Sequence, residues 1–254
     1  GGRLLFHTIL TGVCREDAHW LVNVTGKGAR FRIRCRYLID ATGDADACAL
    51  AGVAMTHGRR SDGKTQPMTM VVQLGGFNPD AWRAAGNRLI AGRYVAEGDQ
   101  FAAAVKLARA KGNWTIPREN IALFWSMPCD PTRVTVNGTR VNGRSACDPF
   151  ENTWAEIEGR RQAREVVGFF RDYVPGFESA YLQQTGPQIG VRESRRIVGR
   201  AVLTENDVRS CSIPASSVML CAYPIDVHHP EGSGTQFEVA ARGHVDGIPW
   251  ERQL

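Results

Sequence analysis

A chain of 254 residues with a formal net charge of +5, 43% hydrophobic and 22% charged, has the make-up of an ordinary globular protein. That length buries a sizeable core, as one large domain or two small ones. The mild basic excess suits anionic ligands such as a pyrophosphate or a carboxylate, but no Lys/Arg run is long enough for a nucleic-acid tail.

The cysteines (Cys14, Cys35, Cys48, Cys129, Cys147, Cys211 and Cys221) are odd in number, and no two stand at C-x-x-C spacing. A disulfide framework, a zinc site or an iron–sulfur motif has no support in that pattern. The thiols read as small core residues in a reducing cytosol, so a cytoplasmic location is expected. No apolar stretch approaches the length of a membrane span.

The chain opens on Gly1-Gly2-Arg3 and runs straight into strand-like sequence, which points to an internal piece of a longer protein. Residues 4–13 are rich in apolar side chains, residues 20–25 alternate, and Gly26-Lys27-Gly28 makes a tight turn. Residues 31–37 alternate strictly, with Phe31, Ile33, Cys35 and Tyr37 on one face and Arg32, Arg34 and Arg36 on the other. They lead into residues 38–44, predicted as a buried strand ending in a glycine turn, and a short helix over 45–51 closed by Gly52.

The middle has a different pattern. Helices are predicted over 80–91 and 97–111, the second stopped by Gly112. An apolar strand follows over 120–127. Residues 133–141 alternate around Asn137-Gly138, a hairpin signal. A long helix spans 150–173 before Pro175-Gly176, Thr204 to Asp207 form a capping box, and residues 218–222 form an apolar strand. Strands bracket helices without a βαβ rhythm, which indicates an α+β domain joined to the end of a nucleotide-binding sheet.

No G-x-G-x-x-G, P-loop, H-E-x-x-H or G-x-S-x-G occurs. Four clusters carry chemistry instead. In Asp40-Ala41-Thr42-Gly43-Asp44, small residues stand where backbone comes close to a flat or charged group, or they form an ordinary strand-to-helix turn capped by Asp44. In residues 62–70, Gln66 offers hydrogen bonds to a heterocycle edge and Pro67 stiffens the loop; the alternative is a plain polar loop. In residues 188–197, a strand would put Arg192, Ser194 and Arg196 on one face and Glu193 and Arg195 on the other. The apolar neighbours Ile189, Val191 and Ile197 imply partial burial, and a partly buried Arg normally has work to do. In residues 223–230, Asp226 and His228 stand two apart beside Tyr223, as an acid/base pair or as part of a solvent-facing loop.

Taken in order, DATGDADACALAGV, DGKTQPMTM, AEIEGRRQA with VPGFE, QIGVRESRRIVG and YPIDVHHPEGSGT resemble the FAD-dependent oxidoreductase family related to glutathione reductase and fumarate reductase flavoproteins. More narrowly, they resemble its bacterial branch with heterodisulfide-reductase-like members. The resemblance implies FAD as cofactor, flavin-mediated hydride transfer on a small anionic substrate, and a glycine-rich pyrophosphate loop outside this sequence. It implies an α/β fold, a partial FAD-binding sheet (1–52, resumed at 241–254) joined to an α+β substrate domain (53–240). Thr42, Gly43 and Asp44 would lie against FAD, and Gln66 and Pro67 would border its ring. Arg192 and Arg195 would supply positive charge, and Asp226, His228 and Tyr223 an acid/base side. The substrate, the electron acceptor and any electron-transfer partner stay open. The competing expectation is a non-catalytic fragment or interaction domain that keeps the flavoprotein fold.

Overall fold

The structure, a computed structural model, describes residues 2–87, 93–94, 101–125, 130–215, 217–221, 225–238 and 246–249. Its elements begin with strands β1 (Thr8–Glu16), β2 (His19–Gly26) and β3 (Ala29–Cys35), helix α1 (Asp46–Leu50), and strands β4 (Met55–His57) and β5 (Val72–Gly75). Helix α2 (Pro79–Ala84), strand β6 (Arg93–Tyr94), helix α3 (Ala102–Ala110) and strands β7 (Ala122–Trp125) and β8 (Val134–Asn137) follow. Then come helix α4 (Pro149–Tyr173), strands β9 (Tyr181–Thr185) and β10 (Arg195–Ile197), and helix α5 (Glu205–Arg209). Strands β11 (Ser217–Cys221), β12 (Ile225–His228), β13 (Thr235–Glu238) and β14 (Asp246–Pro249) complete the order. Sheets and helices are thus mixed, and several of the sheets are antiparallel. Among the described residues no helix is long and apolar enough to cross a membrane.

The chain divides into two compact units. The first comprises residues 1–63, 194–226 and 237–254, and the second 64–193 and 227–236. In the first, β1, β2 and β3 form an antiparallel meander, and β4 pairs antiparallel with β10. The alternation over 31–37 does form a strand, β3, but Phe31 and Ile33 stay partly exposed. The apolar run over 4–13 begins its strand only at Thr8, and Leu4, Leu5 and Phe6 are exposed.

The strand expected over 38–44 does not form. Residues 37–41 carry no strand, and Ile39 is 85% exposed. An apolar run becomes a buried strand only where neighbours accept its backbone hydrogen bonds, and no described strand pairs with this one. The short helix after it does form, as α1.

The second unit is built on a five-stranded antiparallel sheet of order β6-β7-β8-β5-β9. Helix α4 covers it. Asp148 starts the helix by accepting the N–H groups of Phe150 and Glu151, Pro149 occupies its first position, and Val174-Pro175-Gly176 ends it. Its apolar stripe (Val166, Phe169 and Phe170) meets Phe77, Trp82 and Phe177 in the main core, with Phe77 and Phe177 rings 4.5 Å apart. Each of these side chains contributes roughly 1.5–3 kcal/mol by leaving water. Gly176 is required where the chain turns back: its φ is +84°, and an added Cβ would lie 2.8 Å from the Asn78 carbonyl oxygen.

The expected hairpin at Asn137-Gly138 is absent. Gly138 does not take a positive φ, and the chain runs on past it. Thr139 Oγ1 instead accepts the Met70 N–H at 2.7 Å and donates to the Met70 oxygen at 2.8 Å, while Met68 and Val141 exchange backbone bonds. These long-range bonds override the local turn preference. The helix expected over 80–91 stops at Ala84, with residues 88–91 outside the described set; that over 97–111 is described from residue 101 onward.

Candidate functional site

In the first unit the chemistry gathers at the turn between residue 40 and α1. The Asp40 carboxylate accepts the Thr42 N–H at 3.0 Å, the Thr42 hydroxyl at 2.7 Å and the Cys48 N–H at 2.8 Å. Burial pushes this carboxyl up, but the donors from Cys48 and Thr42 outweigh it and hold the group below the usual carboxylate range. Burial pushes the Cys48 thiol up, and its hydrogen bond to Asp40 and that negative charge push it further. The Thr42 hydroxyl oxygen in turn accepts the Asp46 N–H at 2.8 Å, the service that sequence assigned to Asp44. Asp44 does not cap α1. Its carboxylate takes the Ser194 hydroxyl at 2.5 Å, and its carbonyl accepts Arg195 Nε at 3.0 Å. Arg195 Nη2 also donates to the Asp46 carboxylate.

All three carboxylates of the turn are therefore held by neighbouring groups of the protein. Ala41, Thr42 and Gly43 remain exposed, and Gly43 has φ +85° with nothing within 4 Å of an added Cβ. The outward surface of the turn is backbone and small side chains, open to close approach by a flat or anionic group.

In the second unit, residues 65–69 collect three sequence-predicted segments. Gln66 Oε1 accepts the His228 N–H at 3.0 Å, and the Gln66 N–H donates to the Glu193 carboxylate at 2.9 Å. Arg192 Nη2 donates to Thr69 Oγ1 at 2.8 Å. Thr69 also pairs with Gly190 through both backbone bonds. His228 is buried, and its Nδ1 lies 3.0 Å from Thr235 Oγ1 across the hairpin of β12 and β13. Pro67 is buried beside Gln66.

Gln66, Arg192 and His228 are thus attached to one short stretch of the second unit. Arg195 and Asp226 belong to the first unit, with Asp226 in β12. Tyr223 lies outside the described residues. The single strand expected over 188–197 is interrupted: Gly190 makes one bridge, residues 191–194 are irregular, and only Arg195–Ile197 is a strand. Arg192, Ser194 and Arg196 accordingly share no strand face. Arg196 Nη2 donates to the Gly58 carbonyl.

Sequence reasoning passed over Arg140. It is 2% exposed, and its Nη2 donates to the His229 carbonyl at 2.6 Å and the Gly234 carbonyl at 2.9 Å. Burial pulls its guanidinium below its ordinary range, and the like charge of Arg192 adds to that. Among the described residues no group of His, Cys, Asp and Glu could hold a metal ion.

The family model described as "FAD dependent oxidoreductase" matches residues 1–251. Among solved structures, the chain is similar to p-nitrophenol 4-monooxygenase PnpA from Pseudomonas putida DLL-E4, at 9% identity and TM-score 0.42, over 77% of this chain and 38% of that one. It is similar to CabE, an aromatic hydroxylase from angucycline biosynthesis, at 10% identity and TM-score 0.37, over 77% and 31%. It is also similar to BexE, from a study of oxidation during BE-7585A biosynthesis, at 14% and 0.38, over 77% and 30%. The chain thus spans only about a third of the length of these structures. No curated protein sequence matches it. On the match across residues 1–251, the chain belongs to the FAD dependent oxidoreductase family, an oxidoreductase family whose cofactor is FAD.

Proposed function

We propose that this chain contributes the substrate side, and part of the FAD-binding side, of an enzyme that moves a hydride to or from a small anionic molecule. In this reading residues 1–52 and 241–254 belong to the FAD-binding region and 53–240 to the substrate domain. The observation that carries the reading is the attachment of Gln66, Arg192 and His228 to residues 66–69 in one unit. The residues present fit the cofactor at the turn before α1. The carboxylates of Asp40, Asp44 and Asp46 are engaged within the protein, and the exposed Thr42-Gly43 backbone has open space beside it. FAD, when bound, supplies the ring that carries the hydride.

The chain's own residues position and polarise. Thr42, Gly43 and Asp44 present the turn to the cofactor, and Arg195 holds that turn through Asp44 and Asp46. Gln66 and Pro67 border the ring. Arg192 binds the substrate anion through its guanidinium. His228 holds or releases a proton at its imidazole, with Asp226 and Tyr223 on the same acid/base side.

The test is a titration of the whole FAD-loaded protein with benzoate and with succinate, read by perturbation of the flavin absorbance. The wild type should respond to at least one. In Arg192→Met the dissociation constant should rise by about 10- to 100-fold, the loss of one hydrogen bond to a charged group. An unchanged constant in the variant would remove Arg192 from the anion site.

A further inference from the structure

A buried arginine needs an explanation, because a guanidinium loses hydration on burial and a Met or Leu would fill the same space at less cost. Arg140 is such a residue. It is 2% exposed, and among the described residues no carboxylate pairs with it. We propose that Arg140 is a positioning residue, a clamp that grips the tip of the β12–β13 hairpin and so fixes His228. The proposal rests on the reading above, in which His228 handles a proton.

The clamp has a rigid base. The Arg140 N–H donates to Gln162 Oε1 at 2.7 Å, and its carbonyl accepts Gln162 Nε2 at 2.9 Å. Gln162 is itself 2% exposed, on α4, so the backbone of residue 140 is tied to the helix that covers the main sheet. Met68 and Val141 pair antiparallel, which sets Arg140 opposite Thr69 and on the same face as the Thr69 side chain. That is the side chain to which Arg192 donates.

The working end is the planar fork. Nη2 reaches two carbonyls, His229 and Gly234, that the loop brings together; the Gly234 oxygen also accepts the His229 N–H at 3.0 Å. The chain around His228 is therefore fixed on both sides. Gln66 takes the N–H of residue 228, and Arg140 holds the carbonyl of residue 229. Asn142 adds a bond to the Gly232 carbonyl at 3.3 Å, and Lys64 pairs with Glu231 at the surface. Of these ties the Arg140 bonds are charge-assisted and start from a buried side chain, so they resist water better than the surface pair of Lys64 and Glu231.

The test compares Arg140→Met, Arg140→Lys and His228→Gln in the whole FAD-loaded protein. Hydrogen exchange by mass spectrometry follows the peptide over 225–238, and carbethoxylation by diethylpyrocarbonate follows the His228 imidazole, now 8% exposed. In Arg140→Met, exchange over 228–234 and modification of His228 should each rise on the order of tenfold or more, since two hydrogen bonds from a charged donor are lost. Exchange in α4 and the five-stranded sheet should hold. Lys keeps the charge and reaches one carbonyl, so it should recover part of the protection; it also serves if the Met variant fails to fold. Unchanged hairpin exchange in both variants overturns the clamp. So does a loss of protection spread evenly through α4 and the sheet, which would make Arg140 a packing residue. His228→Gln separates the two readings: if it leaves turnover intact, the proton role of His228 falls, and the clamp is then judged by the exchange pattern alone.

Discussion

Replacing Asp40 by Ala should unlatch the turn before α1 without disturbing the second unit. Three hydrogen bonds end on this carboxylate, from the Thr42 N–H and hydroxyl and the Cys48 N–H. In a buried site each bond to a charged acceptor is worth roughly 1.5–3 kcal/mol; Asp40 is partly exposed, water competes, and about 2 kcal/mol in total survives. At 1.4 kcal/mol per decade, that is a rise of roughly 30-fold in local opening, read as exchange of the Thr42 and Cys48 amides. The pH dependence has a definite sign. The folded carboxyl titrates below its usual range, so its contribution is complete above the unfolded value of about 3.9 and is lost as pH falls through the lower folded value. The gap between wild type and variant should therefore close only in acid, below about pH 4. A second readout is the Cys48 thiol, held up by burial and by Asp40. At pH 8 its alkylation by iodoacetamide, resolved by peptide mass spectrometry, should speed up several-fold in the variant. Unchanged amide exchange together with unchanged Cys48 labelling would refute the latch.

Two further outcomes are expected. Gly176→Ala should lower unfolding stability by about 2–4 kcal/mol in a denaturant titration, because φ +84° strains Ala and its Cβ would meet Asn78 and Trp82 backbone at 2.8 and 3.0 Å; a loss under about 0.5 kcal/mol would contradict that geometry. Arg195→Met combined with Asp46→Asn should weaken FAD binding yet move the flavin midpoint potential by less than about 10 mV, since the two side chains form an ion pair with no net charge; a shift of about 30 mV or more would mean that one of the two charges acts on the flavin directly.

What the sequence made legible was local. Helix α4 carries its own cap at Asp148 and its own stop at Pro175-Gly176, and α5 carries a complete capping box between Thr204 and Asp207. The turn over 26–28 joins β2 to β3 as expected. Illegible features depended on partners far along the chain. Residues 38–41 have the apolar content of a strand but no pairing partner among the described residues. Asn137-Gly138 has the dipeptide of a tight hairpin, but Thr139 is claimed by Met70, 69 positions away. Strand β9, YLQQT, shows no apolar stripe because it pairs at the sheet edge through its backbone. The site divides in the same way. Only the short-range part of the Thr42 turn was legible, because the Asp40 and Thr42 bonds span at most eight residues, whereas the ties of Asp44 and Asp46 to Ser194 and Arg195 reach about 150 positions along the chain. Arg140 was not, because its carbonyl partners lie 89 and 94 positions ahead and its alternating surroundings read as part of a hairpin.

The stretch from Arg192 to Arg195 shows why period-two reasoning misled here. Alternation assigns side chains to faces only while the backbone stays extended and paired. Residues 191–194 belong to no strand, so each side chain follows its best partner instead. Arg192 turns to Thr69 and Glu193 to the Gln66 N–H, both within the second unit. Ser194 and Arg195 turn to Asp44 and Asp46, within the first. Four consecutive side chains thus join this segment to two of the other sequence clusters, although the two arginines differ in what surrounds them. Arg195 ends on a carboxylate and a carbonyl, so much of its field is cancelled at close range. Arg192 donates to a neutral hydroxyl and stands near a second, buried guanidinium, Arg140, whose like charge reinforces its own. Arg195 thus holds the turn before α1 in the first unit, and Arg192 is tied to the stretch over 66–69 in the second, so two arginines three positions apart serve different parts of the chain.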